Sequence, residues 1–431
     1  MVFGGKQAYP VYMTIRNIPK EICWKPLCSA QMLIAYIPTT KLKGIGSKAG
    51  CCHTLTSLFH GCMQTLLGPL ALYGETGLPM ISGDGAWCQC YPILASFIGD
   101  YPKQVLVTCT YYGECPKCDV PCDELGDLGS FKSHDLGKVH RTYWLADGNV
   151  RTFHATCRDN GIKPVFHPFW ESLPLVNIYL SITPDILHQL LQGIIKHLVA
   201  WLSNPLVFGQ QNIDMWCHLM PPNHQIVLFP RGVTTHACVI GKEHKNMCQI
   251  LLGLIVDLQI TGGSSSAWVL KAVCSLLDFL YLVQLPSQTT GTIACLECSL
   301  AAFHENKVVF VDLGVHNGFN VLKIHSLLHY GQSICLFGTT DNYNTKQTEQ
   351  LHYHIDFTKD AYCATNHKDA YHATNHKDEY PQMTTWLECH KKVQQHTTFI
   401  EWRQQQHLPT SAPPQRPSGP PQPGTRYLQM T

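Results

Sequence analysis

The pattern of apolar and polar positions predicts short strands and amphipathic helices in alternation. Residues 8–15 alternate with a period of two, which predicts a half-buried strand, and the more apolar residues 31–37 predict a second strand. Apolar residues recur at helical spacing between residues 55 and 67. Residues 92–98 have the length and composition of a buried strand, which ends close to Asp100. The predicted order is therefore strand, strand, helix, strand.

Helical patterns dominate after residue 180. Thr183 is a candidate N-cap, Pro184 suits the first helical position, and Asp185 suits the first turn. A continuous apolar stripe then runs to Leu202, and further helices are predicted at 246–258, 267–284 and 296–310. These four helices predict a helical insertion. Residues 131–172 lack a sustained period and predict an irregular surface segment.

Composition restricts the classes of partner. The net charge is +1 and charged residues are 14%, so no overall basic field indicates nucleic acid, and contact with DNA must come from local patches. The first residues lack the apolar core of a secretory signal, so reduced, intracellular cysteines are expected. The uncharged run 49–74 contains His53, His60 and Pro69, which favours a buried helix over a membrane span.

The cysteines around residue 115 are the clearest candidate metal ligands. Cys115 and Cys118 form a Cys-x-x-Cys turn, which is half of a zinc site. Cys109 and Cys122 flank this turn and are the predicted remaining ligands. A redox pair or plain buried thiols are the alternatives.

Four polar residues are candidates for catalysis or its support. Asp100 follows the predicted strand 92–98, where a carboxylate can serve catalysis but can equally cap a turn. Asp84 lies in a Gly-Asp-Gly that is typical of a turn, and competes with Asp100. Asp185 and His188 are three residues apart and share one helix face, either as a functional pair or as a cap and a surface histidine.

Several stretches together resemble the Plavaka-type transposases of fungal DNA transposons, which are relatives of the CACTA-type elements. The resemblance covers about residues 1–390 in the same order. Its motifs are FGGKQAYPVYMTIRNIPKEI, Asp100-Tyr-Pro, Cys115-Pro-Lys-Cys118, ITPDILHQLLQGIIKHL and FGTTDNYNTKQTEQLH.

The resemblance implies an α/β, ribonuclease-H-like fold in which two Asp and one Glu hold Mg²⁺ or Mn²⁺ and act on transposon-end DNA. Asp100 matches the second Asp, with Asp84 as the alternative, and Glu349 matches the Glu, on a helix that Thr345 would cap. Asp185 and His188 match an Asp-x-x-His that implies a supporting role. A nuclear location and a possible homo-oligomer are also implied.

The sequence departs from the family in two respects. The family's first catalytic Asp precedes the Phe-x-Gly-Gly-Lys segment, and here no acid precedes Glu21. Arginine occurs only 8 times, and family arginine positions read Cys23, Trp24, Cys28, Cys88 and Gln89, as decay of arginine codons would produce. We therefore expect an inactive transposase lacking the first strand of its core. A domesticated, non-enzymatic DNA- or chromatin-binding protein and a zinc-stabilised interaction module are the alternatives.

The expected organisation has five parts. A nine-residue repeat, DAYCATNHK and DAYHATNHK at 360–377, follows Glu349, and a proline-rich stretch at 409–424 predicts a disordered tail. The predicted parts are an incomplete catalytic core at 1–108, a cysteine-rich insertion at 109–175, the helical insertion at 176–335, the C-terminal part of the core at 336–400, and the tail at 401–431.

Overall fold

The computed structural model shows a mixed α/β chain that is mostly helical and has two small sheets. Two compact units are formed: Met1–Thr39, Leu72–Pro92 and Gln347–Thr431 make the first, and Thr40–Ala71 and Ile93–Lys346 make the second. The structure describes residues 2–3, 6–23, 25, 28, 30–39, 42, 44–221, 226–227, 229–234, 241–261, 263, 265–345, 392, 396–397, 399–400 and 402–403.

The first unit contains both sheets. Strand β2 (Lys6–Thr14) pairs antiparallel with β1 (Val2–Phe3) and with β3 (Gln31–Thr39), and the β2–β3 register shifts between Val11 and Tyr12. The predicted strands at 8–15 and 31–37 are therefore confirmed. The short helix α1 (Lys20–Cys23) lies between them. The second sheet is a hairpin of β4 (Leu78–Ile81) and β5 (Trp87–Cys90).

Helix α2 (Lys48–Thr76) is longer than the predicted helix at 55–67. Phe59, Met63 and Leu67 are buried at four-residue intervals, which places them on one face. Across the described ranges, no helix is long and apolar enough to cross a membrane.

The predicted strand at 92–98 does not form. A single parallel bridge joins Phe97 to Ile182, and the Phe97 amide donates to the carbonyl of Ser181 at 2.9 Å. Asp100 directly caps the next helix, α3 (Tyr101–Thr108), so the segment ends before a ladder can extend. The segment is not buried either, since Ile93 is 43% exposed and none of residues 92–98 belongs to the core.

Residues 131–172 are helical, contrary to the irregular segment predicted. Helix α4 (Leu136–Tyr143) continues through a 3₁₀ turn (Trp144–Asp147), and α5 (Val150–Asp159) follows. Asp135 and Asn149 cap the two helices. Each helix is short and buries only two or three residues, so its period is too brief to recognise.

The rest of the second unit is a helical bundle. Asp185, and not Thr183, is the N-cap of the predicted helix, which is a π-helix at Ile186–Ile195 before it continues as α7. The predicted helices at 246–258 and 267–284 are confirmed as α9 and α10. Helix α11 begins before residue 296 because Thr289 and Thr292 form a capping box. The helices are α6 (Ile178–Ser181), α7 (Lys196–Leu202), α8 (Gln210–Leu219), α9 (Gly241–Ile255), α10 (Ala267–Val283), α11 (Thr290–Asn306), α12 (Val309–Asp312), α13 (Leu322–His325) and α14 (His329–Phe337).

Candidate metal centre

Two cysteines and two histidines of the second unit converge on one point. Cys115 Sγ lies 3.2 Å from His329 Nε2, and Cys118 Sγ lies 3.0 Å from His325 Nε2 and 3.7 Å from His329 Nε2. One donor atom from each of the four residues lies within 4.8 Å of all the others. In the part of the chain that the structure describes, no other group of three or more His, Cys, Asp or Glu residues converges in this way.

The two cysteines lie on a tight turn that backbone contacts hold in place. Cys118 forms a bridge with Ser133, and the Lys117 amide lies 3.4 Å from Cys115 Sγ. His134 Nε2 lies 2.9 Å from the Cys115 carbonyl oxygen. The buried Lys117 Nζ donates to the carbonyl of Ile182, so this side chain ties the turn to the segment before the π-helix.

The two histidines lie on a continuous helical stretch. Helix α13 ends at His325, a 3₁₀ turn follows (Ser326–Leu328), and α14 begins at His329. The four-residue spacing places both rings on one side, and they contact each other at 5.0 Å between centroids. Sequence reasoning missed both histidines, although Cys-x₂-Cys with His-x₃-His is a recognised spacing of zinc ligands.

The donor set fits a zinc ion. Zn²⁺ binds thiolate and imidazole tetrahedrally at about 2.3 Å and about 2.0 Å, which separates neighbouring donors by about 3.3–3.8 Å. The observed sulfur–nitrogen distances of 3.0–3.7 Å are close to this range. Carboxylate and carbonyl oxygens, which Mg²⁺ and Ca²⁺ prefer, are not among the four donors.

The two thiols have opposite pKa shifts. Burial alone would raise the pKa of Cys115, but hydrogen bonds from Cys118, His325 and His329 hold it well below its usual value. The hydrogen bond to Cys115, together with burial, raises the pKa of Cys118. Cys115 is therefore the more acidic of the two thiols. A bound Zn²⁺ would favour the thiolate form of both.

Cys109 and Cys122, the other two predicted ligands, do not join this centre. Cys109 is fully buried at the end of α3, where its Sγ lies 3.4 Å from His60 Nε2, and burial raises its pKa to about 12. Cys122 is exposed.

Asp185 and His188 form a hydrogen-bonded pair. Asp185 is 1% exposed, and its carboxylate lies 2.7 Å from His188 Nδ1. It also accepts from the His188 amide at 2.7 Å and from Thr345 Oγ1 at 2.8 Å. The Asp185 carboxylate therefore links the start of the π-helix to Thr345, the predicted cap of the helix that contains Glu349.

Asp100 lines a cavity of about 470 Å³ beside the metal centre. Its carboxylate accepts from the Lys103 amide at 3.2 Å, as an N-cap does. His188, Lys323 and His329 also line the cavity. Asp100 is the only acid among the described lining residues, so these residues do not by themselves form a site for Mg²⁺ or Mn²⁺.

The other two candidate carboxylates lie elsewhere. Asp84 is in the turn between β4 and β5, where it accepts from the Ser82 hydroxyl and from the Ala86 amide at 3.1 Å. Glu349, the repeat at 360–377 and the proline-rich stretch at 409–424 lie outside the described residues.

Comparison with known families finds a transposase match in the N-terminal part of the chain. The family model that matches is that of the Plavaka transposase, over residues 1–202, so this part of the chain is a Plavaka-type transposase sequence and the resemblance is confirmed there. The match includes Cys115 and Cys118 but ends before His325 and His329. No curated protein and no solved structure matches the chain.

Proposed function

We propose that this transposase-derived protein holds a structural zinc ion through Cys115, Cys118, His325 and His329, and that it neither cleaves nor joins DNA. The observation that carries the zinc proposal is the convergence of four donors, two of them thiols, within 4.8 Å. All four positions are filled by side chains, which is typical of a structural zinc site and leaves no open position for water.

The lack of catalysis is proposed from the surroundings of Asp100. Two-metal phosphoryl transfer needs carboxylates that converge on two ions about 4 Å apart. Asp100 instead caps α3 and shares its cavity with Lys323, His188 and His329. Asp185 is occupied by His188 and Thr345.

A ribonuclease-H-like ancestry is supported by the pairing of Phe97 with Ile182. The bridge is parallel, and Asp100 and Asp185 each lie three residues after a bridged residue. Both acids therefore follow the same end of two adjacent, parallel segments. We propose that this is the remnant of a catalytic core whose carboxylates now serve as helix caps.

The zinc proposal is tested by metal analysis of the purified protein. We expect about one equivalent of zinc in the natural chain and almost none in Cys115→Ser/Cys118→Ser or in His325→Ala/His329→Ala. Cys122→Ser is the matched control, because this thiol is exposed and outside the centre, and should retain the metal. Full zinc content in the double histidine variant would instead favour Cys109 and Cys122 as ligands.

The catalytic proposal is tested with a DNA nicking and strand-transfer assay in Mg²⁺ or Mn²⁺. We expect the natural chain to show no more activity than Asp100→Asn. Cleavage that Asp100→Asn abolishes would overturn the proposal, and cleavage lost only in Asp84→Asn would identify the other aspartate as catalytic.

A second candidate function is non-enzymatic binding of DNA. The cluster of exposed arginines on α4 and α5 favours it, because cations held away from the cavity can contact phosphates without chemistry. We propose a nuclear location as part of this second candidate function.

A further inference from the structure

We infer that residues 131–165, here called the basic hairpin, form the surface by which this protein binds the phosphate backbone of DNA. The inference rests on the proposed transposase origin for the identity of the polyanion. The surface lies on α4 and α5, and none of its arginines is a donor of the metal centre or lines the cavity.

Positive charge is concentrated in this segment. It holds three of the eight arginines of the chain and six Lys or Arg residues against three Asp, a net charge of +3 in a protein whose total is +1. A polyanion is attracted most strongly where cations cluster. The six cations are Lys132, Lys138, Arg141, Arg151, Arg158 and Lys163.

The arginines project from the outer faces of the two helices. Arg151 and Arg158 are two turns apart on α5, while Phe153 and Cys157 are buried on another face. Arg141 is exposed on α4. An arginine row on the outer face of a helix can contact successive phosphates of one strand.

The arginines are not neutralised by the nearby acids. Asp135 caps α4 by accepting from the Lys138 amide at 3.0 Å, and Asp147 pairs with His167 at 3.1 Å. Within the described ranges, no ion pair involves Arg141, Arg151 or Arg158. Their guanidinium groups are therefore available for bidentate contacts with phosphate oxygens.

Ring packing and hydrogen bonds hold the hairpin in place, which reduces the entropic cost of binding. The Tyr143 ring packs against Phe153 at 6.3 Å and against Trp170 at 5.8 Å between centroids. The Tyr143 hydroxyl donates to the Lys163 carbonyl at 3.0 Å, and Asn160 donates to the Thr142 hydroxyl at 2.7 Å.

An exposed tryptophan distinguishes this surface from a merely basic one. Trp144 follows Arg141 by three residues and is 76% exposed. An indole ring beside guanidinium groups can stack on an unpaired base, which adds affinity without sequence preference.

The test measures the affinity for a 30-base-pair DNA duplex as a function of salt concentration, in the zinc-loaded full chain. The variant Arg141→Gln/Arg151→Gln/Arg158→Gln should reduce the slope of log K against log salt by about 3 and weaken binding more than about tenfold at 0.1 M salt. The control Lys196→Gln/Lys245→Gln/Lys271→Gln removes the same charge from exposed positions on α7, α9 and α10 and should change both quantities much less.

Circular dichroism and thermal unfolding of both variants check that the fold is retained. The inference would be overturned if the slope of log K against log salt were the same for the natural chain, the arginine variant and the lysine control. That result would leave the transposase origin intact. No binding by the natural chain even at 0.05 M salt would overturn both this inference and the second candidate function, DNA binding without catalysis. Equally tight, equally arginine-dependent binding of poly-glutamate would overturn the assignment to DNA.

Discussion

At the scale of single residues, His60 is the most informative buried group outside the metal centre. Its Nε2 lies 3.0 Å from the Leu106 carbonyl oxygen, and its Nδ1 lies 3.4 Å from the Phe169 amide. A neutral ring that carries its proton on Nε2 satisfies both contacts. Protonation of His60 Nδ1 would place its N–H against the N–H of Phe169, so the hydrogen bond between them would be lost.

Burial lowers the pKa of His60 to about 4, and nearby Lys163 adds to this, although the hydrogen bond to Leu106 opposes it. The unfolded chain binds a proton near pH 6.5 and the folded chain only near pH 4. Stability that depends on neutral His60 is therefore complete above pH 6.5 and is lost as the pH falls towards 4.

We predict that His60→Gln flattens this dependence. The difference in unfolding free energy between the natural chain and the variant should shrink by about 2 kcal/mol from pH 7 to pH 5. Urea titrations at the two pH values measure it. His53→Gln, on the same helix but only half-buried, is the control. A difference that does not change with pH would contradict the neutral state of His60.

At the scale of elements, the helical stretch from α13 to α14 carries both histidines of the proposed zinc site. His325 and His329 depend on the four-residue spacing to face the same side. The Cys115–Cys118 turn meets them because Lys117 and His134 anchor it from two directions. Two short elements, each unable to hold a metal alone, therefore form one site by packing together.

At the scale of the whole molecule, a zinc ion bound at the proposed centre would close a long loop within the second unit. Its ligands are separated by 214 residues between Cys115 and His329 and by 207 between Cys118 and His325. A link across so long a loop restricts the unfolded chain, which is worth about 5 kcal/mol if a metal acts as a disulfide does.

Removing zinc should therefore destabilise the protein. We predict that a chelator lowers the urea midpoint and the Tm of the natural chain, and that zinc added back restores both. Cys115→Ser/Cys118→Ser should already have the lower values and should not respond further. An unchanged midpoint after verified metal removal would show that the centre does not stabilise the fold.

The sequence alone determined the features that depend on local chemistry. The period-two strand near residue 10, the apolar stripes of α9 and α10 and the Cys115–Cys118 turn were all predicted, because neighbouring residues create each of them. The short α4 and α5 were missed because each buries too few residues to show a period.

Only the tertiary structure decided which residues complete the candidate metal centre. Cys109 and Cys122 are nearest along the chain, but His325 and His329 are nearest in space. Packing likewise left residues 92–98 with a single bridge to Ile182 in place of a strand. Such choices depend on contacts between residues far apart in sequence, and local periodicity carries no information about them.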